Sequence, residues 1–295
     1  MAKRKDIDPI MLAVRELAPK LVQNIVDKWP GVNAHGLPDG GYAMARGVVI
    51  ELAYAEIAKA RGGFVTSIDR GAPDMQSACD EARQRLQALP LAEMAPEHFG
   101  HIDETLIGYT INSGTVVAND GRRKSGAHYT PPSMAMQVVE RTLEPLLKTI
   151  GSQSPLVLKV CDPAVGAGAF LLAVMRMLAP MVVERGEAKT LDEAKRLVAI
   201  HCCHGVDKSR YAVHTTKLAM TLEASGWKMP RNWLDDNVKH GDALVGLDAQ
   251  QIKAFAWKRD QPAVPEIDRL YDRVIGQAVV ERQARITALA QLASD

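Results

Sequence analysis

Twelve residues, Val160-Cys161-Asp162-Pro163-Ala164-Val165-Gly166-Ala167-Gly168-Ala169-Phe170-Leu171, constrain this 295-residue chain more than any others. A short β-branched run (Leu156 to Cys161) ends on an acid, a Gly-x-Gly turn follows, and a strongly apolar helix opens at Gly168 and runs to Glu184. Glycines at such a turn let a ligand approach the backbone, and the helix N-terminus offers N–H groups without intrahelical partners. In a doubly wound parallel sheet, ligands lie beyond the C-terminal ends of the strands.

The flanking pattern agrees with a sheet of that kind. Ser133 to Ile150 reads as a helix, Leu191 to Val198 continues or restarts the helix before it, Ile200 to Val206 reads as a strand, and Ser209 to Ala224 as a helix. Val238 to His240 is a third, short strand ending at Gly241-Asp242. Strands that alternate with helices imply βαβ units and a parallel sheet. The first 110 residues read differently, as four helices. The first carries Ile10, Leu12, Val14, Leu17, Leu21, Val22 and Ile25 at helical spacing up to Pro30-Gly31. The second follows a glycine-rich turn (Gly36 to Gly41), has Val48, Val49, Leu52 and Ile57 as core candidates, and ends at Gly62-Gly63. The third spans Pro73 to Leu89 with Glu81, Arg83 and Arg85 on its wet side, and the fourth Pro96 to Tyr109. Ser113 to Gly126, poor in apolar anchors, reads as a linker or loop, and Ile267 to Leu292 as a tail helix with the stripe Leu270, Val274, Val279, Ile286 and Leu289. The expected division is an N-terminal helical region over residues 1–112, an α/β domain over 113–248 and a helical tail over 249–295.

Composition narrows the function classes. Lys plus Arg (36) nearly cancels Asp plus Glu (35), against a surface that is basic throughout but not against a local basic patch. Aromatics at 5% argue against a stacking platform for single strands. No apolar run reaches the roughly 18–20 residues needed to span a bilayer. Cys79, Cys161, Cys202 and Cys203 lack framework spacing, so a reducing, cytoplasmic setting is expected. His201-Cys202-Cys203-His204 does not read as a zinc site, since neighbouring strand residues point to opposite faces and no second Cys/His cluster completes four ligands.

The glycine turn does not suit a dinucleotide. That fingerprint places a third glycine where this chain has Leu171, and an acid about 20 residues on, whereas Asp207 comes 45 residues after Asp162. Three further segments, in order and spacing, complete a different pattern. Upstream stands Arg123-Lys124-Ser125-Gly126-Ala127-His128-Tyr129-Thr130-Pro131, and downstream Gly205-Val206-Asp207-Lys208-Ser209 and Lys239-His240-Gly241-Asp242-Ala243-Leu244. Together with Asp162 to Phe170, and with Phe99 to Leu106 as a leading helix, they resemble S-adenosylmethionine-dependent DNA adenine-N6 methyltransferases of restriction–modification systems, over residues 95 to 250.

The resemblance implies a fold and a set of roles. The fold is a Rossmann-like class I methyltransferase sheet, incomplete at about three parallel strands, preceded by the helical region. Asp207 would accept both ribose hydroxyls, with Lys208 beside it. Asp242 would accept from the exocyclic amine of the cofactor's adenine, completed by the backbone near Ala243 and Leu244. Gly126, His128, Tyr129 and Thr130 would wrap the methionine portion. Pro163, Ala164, Gly166, Gly168 and Phe170 form the loop beneath it, with Asp162 fixing the loop or taking the ammonium. The family's partner is double-stranded DNA, with restriction–modification or phage defence as its setting.

One expected motif is missing. The family's chemistry uses an Asn/Asp/Ser-Pro-Pro-aromatic tetrapeptide at the end of a fourth strand, acting on a base flipped from the duplex. The single Pro-Pro pair here, Pro131-Pro132, lies between Thr130 and Ser133 in the cofactor segment, and nothing after Asp242 matches. No catalytic residue is therefore assigned, no target-recognition segment is seen, and the chain alone is expected not to methylate DNA. With three strands, the one ending at Asp162 falls at an edge, although its apolar run suits burial on both faces. An apolar edge invites pairing with another chain, so the expectation is a partner polypeptide, or a missing C-terminal half, that carries the rest of the sheet. The rival readings are a non-catalytic S-adenosylmethionine-binding module or a decayed methyltransferase, and a methyltransferase acting on RNA or protein.

Overall fold

The computed structural model describes residues 8–29, 40–63, 73–120, 130–245 and 265–294. Four helices come first: α1 (Pro9–Lys28), α2 (Gly40–Ala60), α3 (Pro73–Leu86) and α4 (Pro96–Ile107). Asp8 caps α1 by accepting from Ile10 N, which satisfies one of the donors that a helix start leaves open. Leu21, Ile25, Ile50, Leu52, Ile57 and Phe99 are fully buried among them. Two sequence expectations change here. Leu12 is exposed, because the buried stripe of α1 begins at Val14 and follows the helical period away from it. Arg83 turns toward α2, where it lies 3.8 Å from Glu56 with only 17% of its side chain exposed.

A third correction concerns Tyr109 to Ala118. These residues form an antiparallel hairpin, β1 (Tyr109–Asn112) with β2 (Thr115–Ala118), not a helix end and a linker. Ser113 and Gly114 both have positive φ (48° and 80°), as a two-residue turn that follows strand twist requires. Gln23 of α1 anchors the turn, donating to Gly114 O (3.1 Å) and accepting from Val116 N (2.6 Å).

The second half is a mixed α/β arrangement in which helices dominate. It comprises α5 (Pro132–Ile150), β3 (Val160–Asp162), α6 (Ala169–Glu184), α7 (Leu191–His201), β4 (Cys203–Asp207), α8 (Arg210–Glu223), β5 (Val238–His240) and α9 (Pro265–Ser294). The strands form one parallel sheet in the order β3-β4-β5. Of the expected strand Leu156 to Cys161, only the end is extended. Pro155 to Val157 makes a single 3-10 turn capped by Ser154. The reason is the neighbour: α7 runs to His201, so β4 offers backbone only from there on, and the ladder starts with Val160 N donating to Cys202 O (2.8 Å).

The sheet and the N-terminal helices share one apolar core, with α2 and α4 packed on α8. Arg176 of α6 ties this junction by donating to Glu97 of α4 and, at 2.5 Å, to Glu223 of α8. Lys195 of α7 reaches the other oxygen of Glu223 at 2.7 Å. Among the described side chains of α9, which exclude Leu270 of the expected stripe, those of the last turns dock. There Arg196 of α7 donates to Ala293 O (2.8 and 3.1 Å), whereas Val274 and Val279 of the expected stripe stay exposed.

Candidate functional site

Three carboxylates stand at the C-terminal ends of three adjacent parallel strands: Asp162 ends β3, Asp207 ends β4, and Asp242 follows β5. Parallel pairing sets their order, with Asp162 in register with Gly205 and Asp207 with His240.

The loop between β3 and α6 is fastened from below and behind. Asp162 Oδ1 accepts from Ala164 N (3.1 Å), Val165 N donates to Val206 O (2.9 Å), and Gly166 N donates to Asp207 Oδ2 (3.0 Å). Thr216 Oγ1 of α8 donates to Gly166 O at 2.7 Å. Gly168 caps α6 with φ +86°, and a Cβ there would lie 3.0 Å from Thr216 Cγ2. Strain and crowding together therefore require glycine at this position. Phe170, half-buried, packs on the core, and Pro163 and Ala164 are exposed at the loop's crest.

Asp207 is the hub. Its Oδ1 accepts from Ser209 N (2.8 Å), its Oδ2 from Gly166 N, and its backbone carbonyl from Gly241 N (2.9 Å). A carboxylate has about four lone-pair sites, so two remain for a further donor. Asp242 Oδ1 accepts from Leu244 N (2.9 Å) and Val245 N (3.1 Å), and those N–H groups hold its pKa below the ordinary value. Ala243 and Leu244 are exposed beside it, as is Lys208, whose carbonyl meets His240 Nε2 at 3.0 Å.

Asp162 is the unusual member. Its Oδ2 is buried and has no hydrogen-bond partner. Burial pushes its pKa up, and the Asp207 charge adds to that push against the pull of Ala164 N–H. A buried acceptor without a donor is costly, and a donor arriving over the loop, best a cation, would remove that cost.

The sequence reading placed Asp162, Pro163, Ala164, Gly166, Gly168, Phe170, Asp207, Lys208, Asp242, Ala243 and Leu244 together, and they do share one end of the sheet. Thr130 is half-buried just before α5. Gly126, His128 and Tyr129 lie outside the described residues. Cys202 and Cys203 are both buried, their Sγ atoms facing Pro155 O and Leu171 O respectively, so the pair does not converge on one point.

Gly205 went unrecognised as a site residue. A Cβ on it would lie 2.8 Å from Val165 Cγ2 and 3.0 Å from Val165 Cβ, so the loop rests directly on this glycine of β4. Its position two residues before a strand-end acid is the only signal the sequence carries. Gly205→Ala is expected to lower stability by about 1–3 kcal/mol through overpacking, read as a lower urea midpoint, and to lift the loop off β4.

No family model and no solved structure matches the chain. Among the described residues no helix is long and apolar enough to cross a membrane. Over 139 residues, 44% of its length, the chain is 27% identical to the adenine-specific methyltransferase PglX of Streptomyces coelicolor, and it spans 11% of that protein. The chain is thus distantly similar to an adenine-specific methyltransferase.

Proposed function

We propose that this chain is the S-adenosylmethionine-binding portion of a DNA adenine-N6 methyltransferase of a restriction–modification or phage-defence system, with a Rossmann-like sheet completed by a second polypeptide segment. The observation that carries the reading is Asp162 Oδ2, a buried carboxylate oxygen without a donor, set between a fastened glycine loop and two further strand-end acids. That set of acceptors fits the cofactor. Asp162 would take the methionine ammonium, and the two remaining lone-pair sites of Asp207 the ribose hydroxyls. Asp242 would accept the adenine amine through Oδ2, with the exposed backbone of Ala243 and Leu244 along the same edge. The loop from Pro163 to Phe170 would lie under the methionine portion, with Gly126, His128, Tyr129 and Thr130 closing over it.

When bound, the cofactor supplies an electrophilic sulfonium methyl. The protein's own contribution is positioning, which accounts for much of the rate of such transfers. No residue here is assigned to accept the protons of a target amine. Two features support a completing segment that bears them. Among the described residues β3 has no strand on its outer side and Cys161 is exposed, and α5 leaves Met134, Val138 and Leu146 exposed at helical spacing. An unpaired edge suits further strands, and uncovered apolar helix residues suit a covering segment.

The test is calorimetric titration of the purified chain with S-adenosylmethionine, followed by incubation with unmodified DNA and labelled cofactor. Binding without label transfer is expected. No binding would overturn the cofactor reading, and methyl transfer by the chain alone would overturn the need for a second segment. A non-catalytic module is the rival favoured by the absent tetrapeptide. It predicts that no co-expressed segment carrying that motif restores transfer.

A further inference from the structure

A cavity of about 670 Å³ opens on the far side of α8 from the glycine loop, walled by α2 and by residues 226 to 235. α8 turns Thr216 to the loop, whereas Arg210, His214 and Lys217, spaced four and three residues apart and so on one helix face, line the cavity. Arg231 and His240 join them from the other walls. The carboxylates that answer these groups are already engaged. Glu51 is shared by His214 (2.6 Å) and Arg231 (2.7 Å), and Asp235 is held by Lys217 (2.7 Å). Burial pushes the Glu51 carboxyl up, but its two partners outweigh burial and hold it below the ordinary value, so it stays ionised. Arg210 has no partner among the described residues. Three permanent cations, Arg210, Lys217 and Arg231, thus face two carboxylates among the described residues. A guanidinium has five donors and an ammonium three, so Arg231 and Lys217 keep donors to spare.

Much of the remaining wall is apolar, with Trp227, Leu218, Met229 and Tyr54 among its residues. A bare anion would leave most of this space unfilled, whereas pockets of 300–1,000 Å³ typically hold ligands of small-molecule size. Cations and aromatic or aliphatic surface lining one cavity match a phosphate joined to a flat apolar body. His240 also lies two residues before Asp242, which places the cavity next to the strand ends without making it part of them.

We infer that this cavity binds the phosphate of a nucleotide, through Arg210, Lys217 and Arg231, with the base against the Trp227 wall. The nucleotide is either free or part of a nucleic-acid strand. The phosphate chemistry is the same in both, and the experiment separates them. The full chain is titrated with dGMP and with a short duplex at two salt concentrations. The readouts are calorimetry and tryptophan fluorescence, since Trp227 and Trp233 both line the cavity. Arg210→Gln and Lys217→Gln are each expected to weaken binding about tenfold or more, and Arg210→Lys to retain most of it.

Saturable dGMP binding that duplex does not displace assigns a free nucleotide. Duplex binding whose salt slope falls by about one in Arg210→Gln assigns a strand phosphate. Failure of both probes to bind, or binding unchanged in both glutamine variants, overturns the inference. S-adenosylmethionine is titrated in parallel with wild type and Arg210→Gln. Cofactor binding without phosphate binding sinks this inference alone, and the reverse sinks only the cofactor reading. Equal loss of both ligands in Arg210→Gln would show a general folding defect, and the inference would then stand or fall on Lys217→Gln by the same criterion.

Discussion

Asp207→Ala is expected to weaken S-adenosylmethionine binding at least a hundredfold. In the free protein the carboxylate already accepts from Gly166 N and Ser209 N, so it fixes the glycine loop and the start of α8 at once. Its unused lone pairs are the acceptors proposed for the ribose hydroxyls. Alanine removes both contributions and strands the Gly166 N–H. Hydrogen bonds to a charged group contribute about 1.5–3 kcal/mol each, so losing two of them corresponds to roughly two orders of magnitude or more in Kd. Asp207→Asn keeps one acceptor but turns an amide N–H toward a backbone donor, so an intermediate loss is expected. Calorimetry reads the affinity, and thermal melting of both variants checks that the fold survives. Affinity equal to wild type in the folded alanine variant would place the cofactor elsewhere.

The second large effect concerns stability. Arg176→Met is expected to cost about 3 kcal/mol, the lower end of the range for breaking a buried pair, because 29% of the Arg176 side chain is exposed. The arginine stands between Glu97 and Glu223, whose side chains are 11% and 7% exposed. Lys195 still answers Glu223 after the change, but Glu97 is left alone, and its Oε2 has no partner even in the wild type. Burial raises the pKa of Glu223, yet Arg176 and Lys195 together carry it below the ordinary value of 4.5. A depressed carboxylate contributes stability that is present above its unfolded pKa and is lost as pH falls through the folded one. The wild type should therefore exceed Arg176→Met most at pH 7, and the gap should narrow below about pH 4.5 as Glu223 protonates. Urea unfolding at pH 7 and pH 4 measures both gaps. Equal gaps would show that packing, not charge, sets the cost.

Local chemistry and periodicity made much of the site legible. Asp162 stands out because it follows an apolar, β-branched run and precedes a glycine turn, and Asp207 and Asp242 gain weight from their position in series at successive strand ends, which in a parallel sheet face one way. β5 runs over the residues expected, Val238 to His240, because Gly241-Asp242 stops it. The helices α1, α2 and α6 followed from apolar spacing and from their glycine and proline boundaries. The hairpin at Ser113-Gly114 was missed although Asn112-Ser113-Gly114-Thr115 is a turn signal. The polar composition around it outweighed four-residue strands too short to show alternation.

Other features have no local signature. The run Leu156 to Lys159 is apolar enough for a strand, but pairing depends on where the neighbouring backbone begins, and α7 delays that until Cys202. The Gly205–Val165 contact, the Arg176 bridge and the ring of cations around Arg210 each join residues that lie far apart along the chain. Sequence alone determined the alternation of strands and helices, the acids at the strand ends and the glycines of the turn, because these depend on backbone preferences within a few residues. Only the tertiary structure decided which strand forms the open edge, which carboxylate oxygen is buried without a donor and where unpaired positive charge collects. Those outcomes depend on which distant groups a side chain meets once water has been excluded.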